Sequence, residues 1–264
     1  MTSILYLYGF VTAEMPAPPA ELPGVDDRPV RIASLGRFAA AVSDVDRNTY
    51  AAGAIEARLR DLAWVGARGL EHERVVTWLA DHGSVLPMRL FTLFSTPEAL
   101  RAEAAGREDE IVDTLERFRD AREWDLKVSY ERARLSAHLA SLSPEVASLA
   151  AEMEGAGPGR RYLLERKQED VVRREVPAHA RSLAMELLDA LRPAAEQVLE
   201  LELPTQRDGL PVVLDAALLV RSGRADEVRQ LVHERLARLE ELGVHAQLTG
   251  PWAPYRFVGA RAHG

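Results

Sequence analysis

The sequence predicts an α+β protein of two α/β domains: a mixed βββααβα domain over residues 1–120 and a ferredoxin-like βαββαβ domain over residues 121–250, with an aromatic and proline-rich C-terminal tail over residues 251–264. Three observations carry that reading. Segments with strand-like alternation or β-branched and aromatic content are interleaved with long runs of helical apolar spacing. The composition becomes strongly charged at Arg119–Glu123, between two sets of such segments. In the second set the element order is β-α-β-β-α-β, the split βαβ pattern of a ferredoxin-like sandwich.

In the first domain, Ser3–Val11 is rich in β-branched and aromatic residues and reads as a strand. Four prolines make Met15–Pro23 a loop. Val30–Leu35 and Arg37–Val42 read as a hairpin turning at Gly36, and Asp44, Asp46 and Asn48 close it as a turn and helix cap. Helical spacing then runs from Ala54 to Asp81, with Gly66 and Gly69 expected to divide it or to let another element pack closely, and Gly83 to end it. Val85–Phe94 returns to strand character. Thr96-Pro97-Glu98 combines a capping hydroxyl, a proline at the first helical position and an acid in the first turn, so a helix starts there. Ile111, Leu115 and Phe118 face one way.

In the second domain, Trp124–Tyr130 alternates apolar and polar residues as an amphipathic strand. Glu131–Met153 is helical, Gly155–Gly159 breaks the chain, and a helix from Arg160 to Gln197 is expected to kink at Pro177. Strands follow at Val198–Leu203 and Val212–Val220, with an Asp-Gly turn signal in Gln206–Gly209 between them. Ala225–Leu242 places Val228, Leu231, Val232, Leu236 and Leu239 on one helical face. Val244–Thr249 alternates again, and Gly250-Pro251 is expected to stop it. Beyond that stop, Trp252, Tyr255 and Phe257 fall within six residues, stiffened by Pro251 and Pro254, in a chain only 6% aromatic. Trp252, Pro254, Tyr255 and Phe257 are therefore the candidate site residues, expected to fold back as packing with a partner surface nearby.

Composition excludes several functions. The 264 residues contain no cysteine, which removes disulfides, thiolate metal sites and cysteine nucleophiles. Thirty-three basic against 41 acidic residues give a net charge of −8, which opposes a general nucleic-acid surface. No apolar stretch approaches the ~20 residues of a membrane span, and a cytoplasmic protein is expected. Neither lysine, Lys127 nor Lys167, follows a glycine, so no phosphate loop is present. His72-Glu73 begins like a zinc-protease helix, but Val76 stands where the second histidine belongs, and a helix-surface or capping role is expected for His72. Asp44-x-Asp46-x-Asn48 imitates a calcium loop without its glycine or its final glutamate. No Gly-x-Ser-x-Gly elbow occurs. The expectation is a protein with no catalytic residues, no cofactor and no metal.

Four stretches together resemble the GvpF/GvpL family of gas vesicle proteins. They are His72 through Val85-Leu86-Pro87-Met88-Arg89-Leu90; Glu123-Trp124-Asp125-Leu126-Lys127-Val128; Gly159-Arg160-Arg161-Tyr162-Leu163-Leu164; and Thr249-Gly250-Pro251-Trp252-Ala253-Pro254-Tyr255-Arg256-Phe257-Val258. Two departures stand out: the family commonly has a glycine shortly after Pro-x-Arg, where this chain has Leu90-Phe91, and often a proline where Ala253 stands. The resemblance implies a non-enzymatic accessory or minor structural protein whose partners are the hydrophobic major shell protein and other gas vesicle accessory proteins. It implies no role with nucleic acid or membrane, and a location in the cytoplasm and at the gas vesicle. The alternatives are an enzyme with a non-local acidic site, or a nucleotide- or RNA-binding ferredoxin-like module.

Overall fold

Strand β1 (Ser3–Thr12) is the centre of the first sheet, and Ile4 to Val11 are all buried, which accounts for its unbroken apolar and aromatic run. Strands β2 (Arg31–Ser34) and β3 (Phe38–Asp46) form the expected hairpin around Gly36, whose φ of +94° glycine adopts without steric cost. Strand β3 is longer than expected. It pairs with β1 from Phe38 to Asp46, so Asp44 and Asp46 belong to the strand. Asp46 then caps helix α1 (Arg47–Tyr50) by accepting the Asn48 amide. The computed structural model describes residues 3–204 and 209–259, leaving aside the side chains of 140–142.

The next stretch departs from expectation twice. The helical region breaks between α2 (Ala52–Arg58) and α3 (Leu62–His82), while Gly66 and Gly69 lie inside α3. Asp61 is the reason: its carboxylate accepts the Ala63 and Trp64 amides at 3.1 Å each and so starts a new helix. Val85–Phe94 is two short strands, β4 (Val85–Pro87) and β5 (Leu93–Phe94), which pair separately with β1. Between them the chain turns through Phe91 at a φ of +64°. Helix α4 (Pro97–Ala105) starts where expected, with Thr96 accepting the Ala99 amide, and α5 (Glu108–Arg117) buries Ile111 and Leu115. The first sheet has the order β2-β3-β1-β4, with β5 also on β1.

The remaining elements are β6 (Ala121–Tyr130), α6 (Arg132–Leu142), α7 (Pro144–Glu154), α8 (Pro158–Leu191), β7 (Gln197–Glu200), β8 (Val212–Arg221), α9 (Ala225–Glu241) and β9 (Val244–Trp252). Helix α8 continues through Pro177 and ends at Leu191, short of Gln197, because Pro193 cannot prolong it. Of the Asp-Gly signal in Gln206–Gly209, residues 206–208 lie outside the described residues, and Gly209 has a φ of +97°. The second sheet has the order β7-β8-β6-β9. Contrary to expectation, Gly250-Pro251 does not stop β9, which runs on to Trp252. It is an outer strand, where a missing N–H removes no ladder bond.

The architecture is therefore mixed α+β with two antiparallel sheets. The described residues fall into two units, one running to Glu123 and including the segment from Pro251, the other spanning Trp124–Gly250. Residues 251–259, which the sequence sets apart as a tail, group with the first unit. Each unit has its own core: Tyr6, Val76, Leu79 and Val85 in the first, Leu126, Val176, Leu187 and Leu218 in the second. Among the described residues no helix is long and apolar enough to cross a membrane.

Candidate functional site

Alternation along β1 puts Tyr6 and Tyr8 on one side of the strand, and α3 brings His72 against both rings, with centroids 5.7 and 5.6 Å away. The result is a buried run of hydrogen bonds with one direction. The Phe91 amide donates to the Tyr6 oxygen at 3.2 Å, and Tyr6 OH lies 2.8 Å from His72 Nδ1. His72 Nε2 lies 3.1 Å from the Met88 carbonyl and 3.2 Å from Tyr255 OH. A carbonyl can only accept, which assigns the imidazole proton to Nε2 and makes Nδ1 the acceptor for Tyr6. Tyr255 OH then donates to Glu73 Oε2 at 3.1 Å.

Burial determines the charge state of these groups. Desolvation pulls His72 from its ordinary 6.5 down to about 4, so the ring is neutral near pH 7. Burial pushes Tyr6 well above the ordinary phenol range, and burial with the Glu73 carboxylate does the same to Tyr255. The cluster thus holds a neutral imidazole and two protonated phenols. It ties elements together by hydrogen bonding through Tyr6, His72 and Tyr255.

Further contacts hold the C-terminal segment. Glu123, buried although charged, receives the Arg256 amide at 2.9 Å and its guanidinium at 2.6 Å. Arg117 donates to the Phe257 carbonyl at 2.9 Å. Of the residues singled out by sequence, Phe257 and Pro254 are buried, Tyr255 is partly buried, and Trp252 is 45% exposed. The packing expectation therefore does not describe Trp252, whose ring lies on the last residue of an outer strand.

A second set of ties secures the segment around residues 24–29. Tyr8 OH accepts the Val25 amide at 2.8 Å and donates to Ser43 Oγ at 3.0 Å. Tyr50 OH donates to Asp26 at 2.7 Å, and Arg68 bridges Asp26 and Glu71. Phe91 stacks on Trp64 at 5.3 Å with the planes 8° apart. That stack offsets part of the roughly 1–2 kcal/mol that a left-handed backbone costs a residue with a Cβ.

His72 is the main correction at residue level: expected on a helix surface or at a cap, it is the buried hub of the cluster. The available signal was the pair Tyr6 and Tyr8, two ring hydroxyls on one face of an otherwise apolar strand that need internal partners. Glu123 carried no local signal of burial. Among the described residues no group of three or more ligating side chains is placed to hold a metal.

The family model described as "Gas vesicle synthesis protein GvpL/GvpF" matches residues 4–259, and the chain belongs to that family. It is 30% identical over 238 residues to gas vesicle protein L of Streptomyces sp. (strain CB03234), covering 89% of this chain and 85% of that protein. Gas vesicle protein F of the same organism is 27% identical, covering 96% of this chain and 98% of the relative. In fold, the chain is similar to the crystal structure of GvpF from Anabaena sp. PCC7120, with a TM-score of 0.73 at 20% identity over 97% of this chain and 98% of that one. The GvpF structure from Microcystis aeruginosa gives a TM-score of 0.66 at the same identity and coverage.

Proposed function

We propose that this chain is a non-enzymatic accessory or minor structural protein that supports gas vesicle assembly by binding the hydrophobic major shell protein, alongside other accessory proteins, in the cytoplasm and at the vesicle. The observation that carries the reading is the family match along residues 4–259, which takes in both units. A net charge of −8 suits a protein that keeps an apolar, aggregation-prone partner in solution.

The same proposal extends to the architecture. The second domain is ferredoxin-like, supported by the strand order β7-β8-β6-β9 together with helical connections from β6 to β7 (α6, α7 and α8) and from β8 to β9 (α9). Domain boundaries lie near residues 120 and 250, and the segment from 251 acts as a strap on the first domain through Tyr255, Arg256 and Phe257. Pull-down of the major shell protein on the purified full-length chain tests the partner. Specific retention supports the proposal, and no retention at micromolar concentrations of both proteins would sink it.

A further inference from the structure

The two edges of the second sheet are built differently. At one edge, β7 is four residues long and fenced by ion pairs: Glu200 binds Arg181 and Arg192, and Glu196, just ahead of the strand, binds Arg221. Short strands and charged side chains keep an edge from pairing with another chain. At the other edge, β9 carries no Asp, Glu, Lys or Arg from Val244 to Gly250, in a chain with 28% charged residues. Among the described residues, no backbone hydrogen bond joins Val244–Gly250 to a segment outside its own sheet.

A hydrogen bond at the start of β9 fixes which peptide groups face out. The Glu131 amide donates to the Gly243 carbonyl at 2.8 Å, so that carbonyl points to the β6 side. Alternation along an antiparallel strand then turns the N–H and C=O of Val244, Ala246 and Leu248 away from β6, toward the open side. The Tyr130 amide, which donates to the Pro211 carbonyl at 3.1 Å on the far side of β6, agrees with that phase. Gly250, at a φ of +137°, ends the alternation. The side chains of Val244, Ala246 and Leu248 join the core of this unit. Beside them a groove of about 680 Å³ opens between α9 and β9, lined by Val232, Leu236, Ala246 and Leu248.

We propose that β9 pairs with β9 of a second copy of this chain, antiparallel about a twofold axis at Gln247. A row of outward peptide groups is satisfied by an extended strand, not by a helix or a side-chain surface. The second copy supplies such a strand with matching faces. Centred on Gln247, the pairing sets Ala246 opposite Leu248 and Val244 opposite Gly250, so small residues meet large ones on the apolar face. Each Leu248 then covers the groove beside the other copy's Ala246. On the opposite face, His245 meets Thr249 and the two Gln247 amides meet each other. No like charges are brought together, and a slip by one residue would set apolar side chains against polar ones. Val244 to Gly250 spans about 20 Å, a strip at the small end of specific interfaces, so a dimer with a micromolar dissociation constant is expected. Shell-protein binding is a separate matter, and failure of either leaves the other standing.

Sedimentation equilibrium of the full chain between about 1 and 200 μM reads the association, and wild type is expected to dimerise in that range. Gln247→Lys and Gln247→Glu each set like charges opposite one another across the axis. Each is expected to weaken self-association about fivefold or more at an unchanged melting temperature, because Gln247 is exposed. An equimolar mixture of the two variants is expected to associate more tightly than either alone. In deuterium exchange of wild type, the Ala246 and Leu248 amides should become protected as concentration rises, while the Gln247 amide, turned toward β6, is protected throughout. A wild-type chain that stays monomeric over the whole range overturns the proposal. Dimers that both variants retain, or that leave Ala246 and Leu248 unprotected, place the contact elsewhere and overturn it too, as does a mixture no tighter than its components. A monomeric chain whose binding to a carrier-fused shell protein is abolished by Gln247→Lys assigns the edge to a partner's strand and overturns the second copy.

Discussion

Acidification should destabilise the first unit through His72, by an amount set by its burial. The imidazole has an ordinary value of 6.5 and is held at about 4 in the fold. In the unfolded chain it takes up a proton as the pH falls through 6.5, while in the folded chain it stays neutral until about 4. The unfolded state therefore binds more protons between those values, so the His72 contribution to stability is complete above pH 6.5 and is lost as pH falls. The loss is about 2 kcal/mol by pH 5 and about 3 kcal/mol by pH 4. Protonation also puts a second N–H where Tyr6 OH now donates to Nδ1, leaving the phenol hydrogen without its acceptor. The assay is urea unfolding followed by tryptophan fluorescence, since Trp64, Trp78 and Trp252 all lie in this unit. Between pH 7 and 5 the wild-type midpoint should drop by about 1–2 M. His72→Gln keeps a donor and an acceptor but does not titrate, so it should lose clearly less stability over the same interval. Equal pH dependence in wild type and His72→Gln would refute the reasoning.

Phe257→Ala removes a fully buried ring and should cost about 3–5 kcal/mol, whereas Trp252→Ala should cost less than half of that; equal losses of melting temperature would contradict the exposure of Trp252. Arg256→Ala leaves Glu123 buried without its guanidinium partner, and about 3 kcal/mol of destabilisation is expected. Faster hydrogen exchange in residues 251–259 should accompany it, and unchanged exchange there would argue against the strap. At Phe91, glycine should be better tolerated than alanine, because Phe91→Ala loses the Trp64 stack and keeps the positive φ, whereas Phe91→Gly relieves about 1–2 kcal/mol of backbone strain. The reverse order in urea midpoints would show that the strain is absent. Nucleotides and divalent metals should leave the melting temperature unchanged, and a shift of several degrees with ATP or a stoichiometric metal would overturn the cofactor-free reading.

Whatever depended on neighbouring residues was legible in the sequence. Thr96-Pro97-Glu98 starts a helix because hydroxyl, proline and acid act within one turn of the chain, and α4 begins there. Alternation from Trp124 to Tyr130 sends Trp124, Leu126, Val128 and Tyr130 inward because successive strand side chains point to opposite faces. The four family stretches were equally local, and they carried the membership that the match over residues 4–259 shows. The break at Asp61 was also local, since the aspartate caps amides two and three residues ahead, but two conspicuous glycines drew the boundary to the wrong place.

The sequence by itself determined the α+β class, most of the helices and strands, and the family. Tertiary structure decided what partners distant in the chain decide. His72 meets Tyr6 across 66 residues, and Glu123 meets Arg256 across 133, so neither could be assigned to the interior from its neighbours. Pro251 continues a strand because that strand lies at a sheet edge, a matter of sheet order. Phe91 keeps a left-handed backbone beside the stacked ring of Trp64, which helix α3 supplies. The physical reason is common to these cases: propensity, capping and periodicity act within a few residues, whereas desolvation and hydrogen-bond satisfaction are settled only when the folded chain brings the other side of each contact into place.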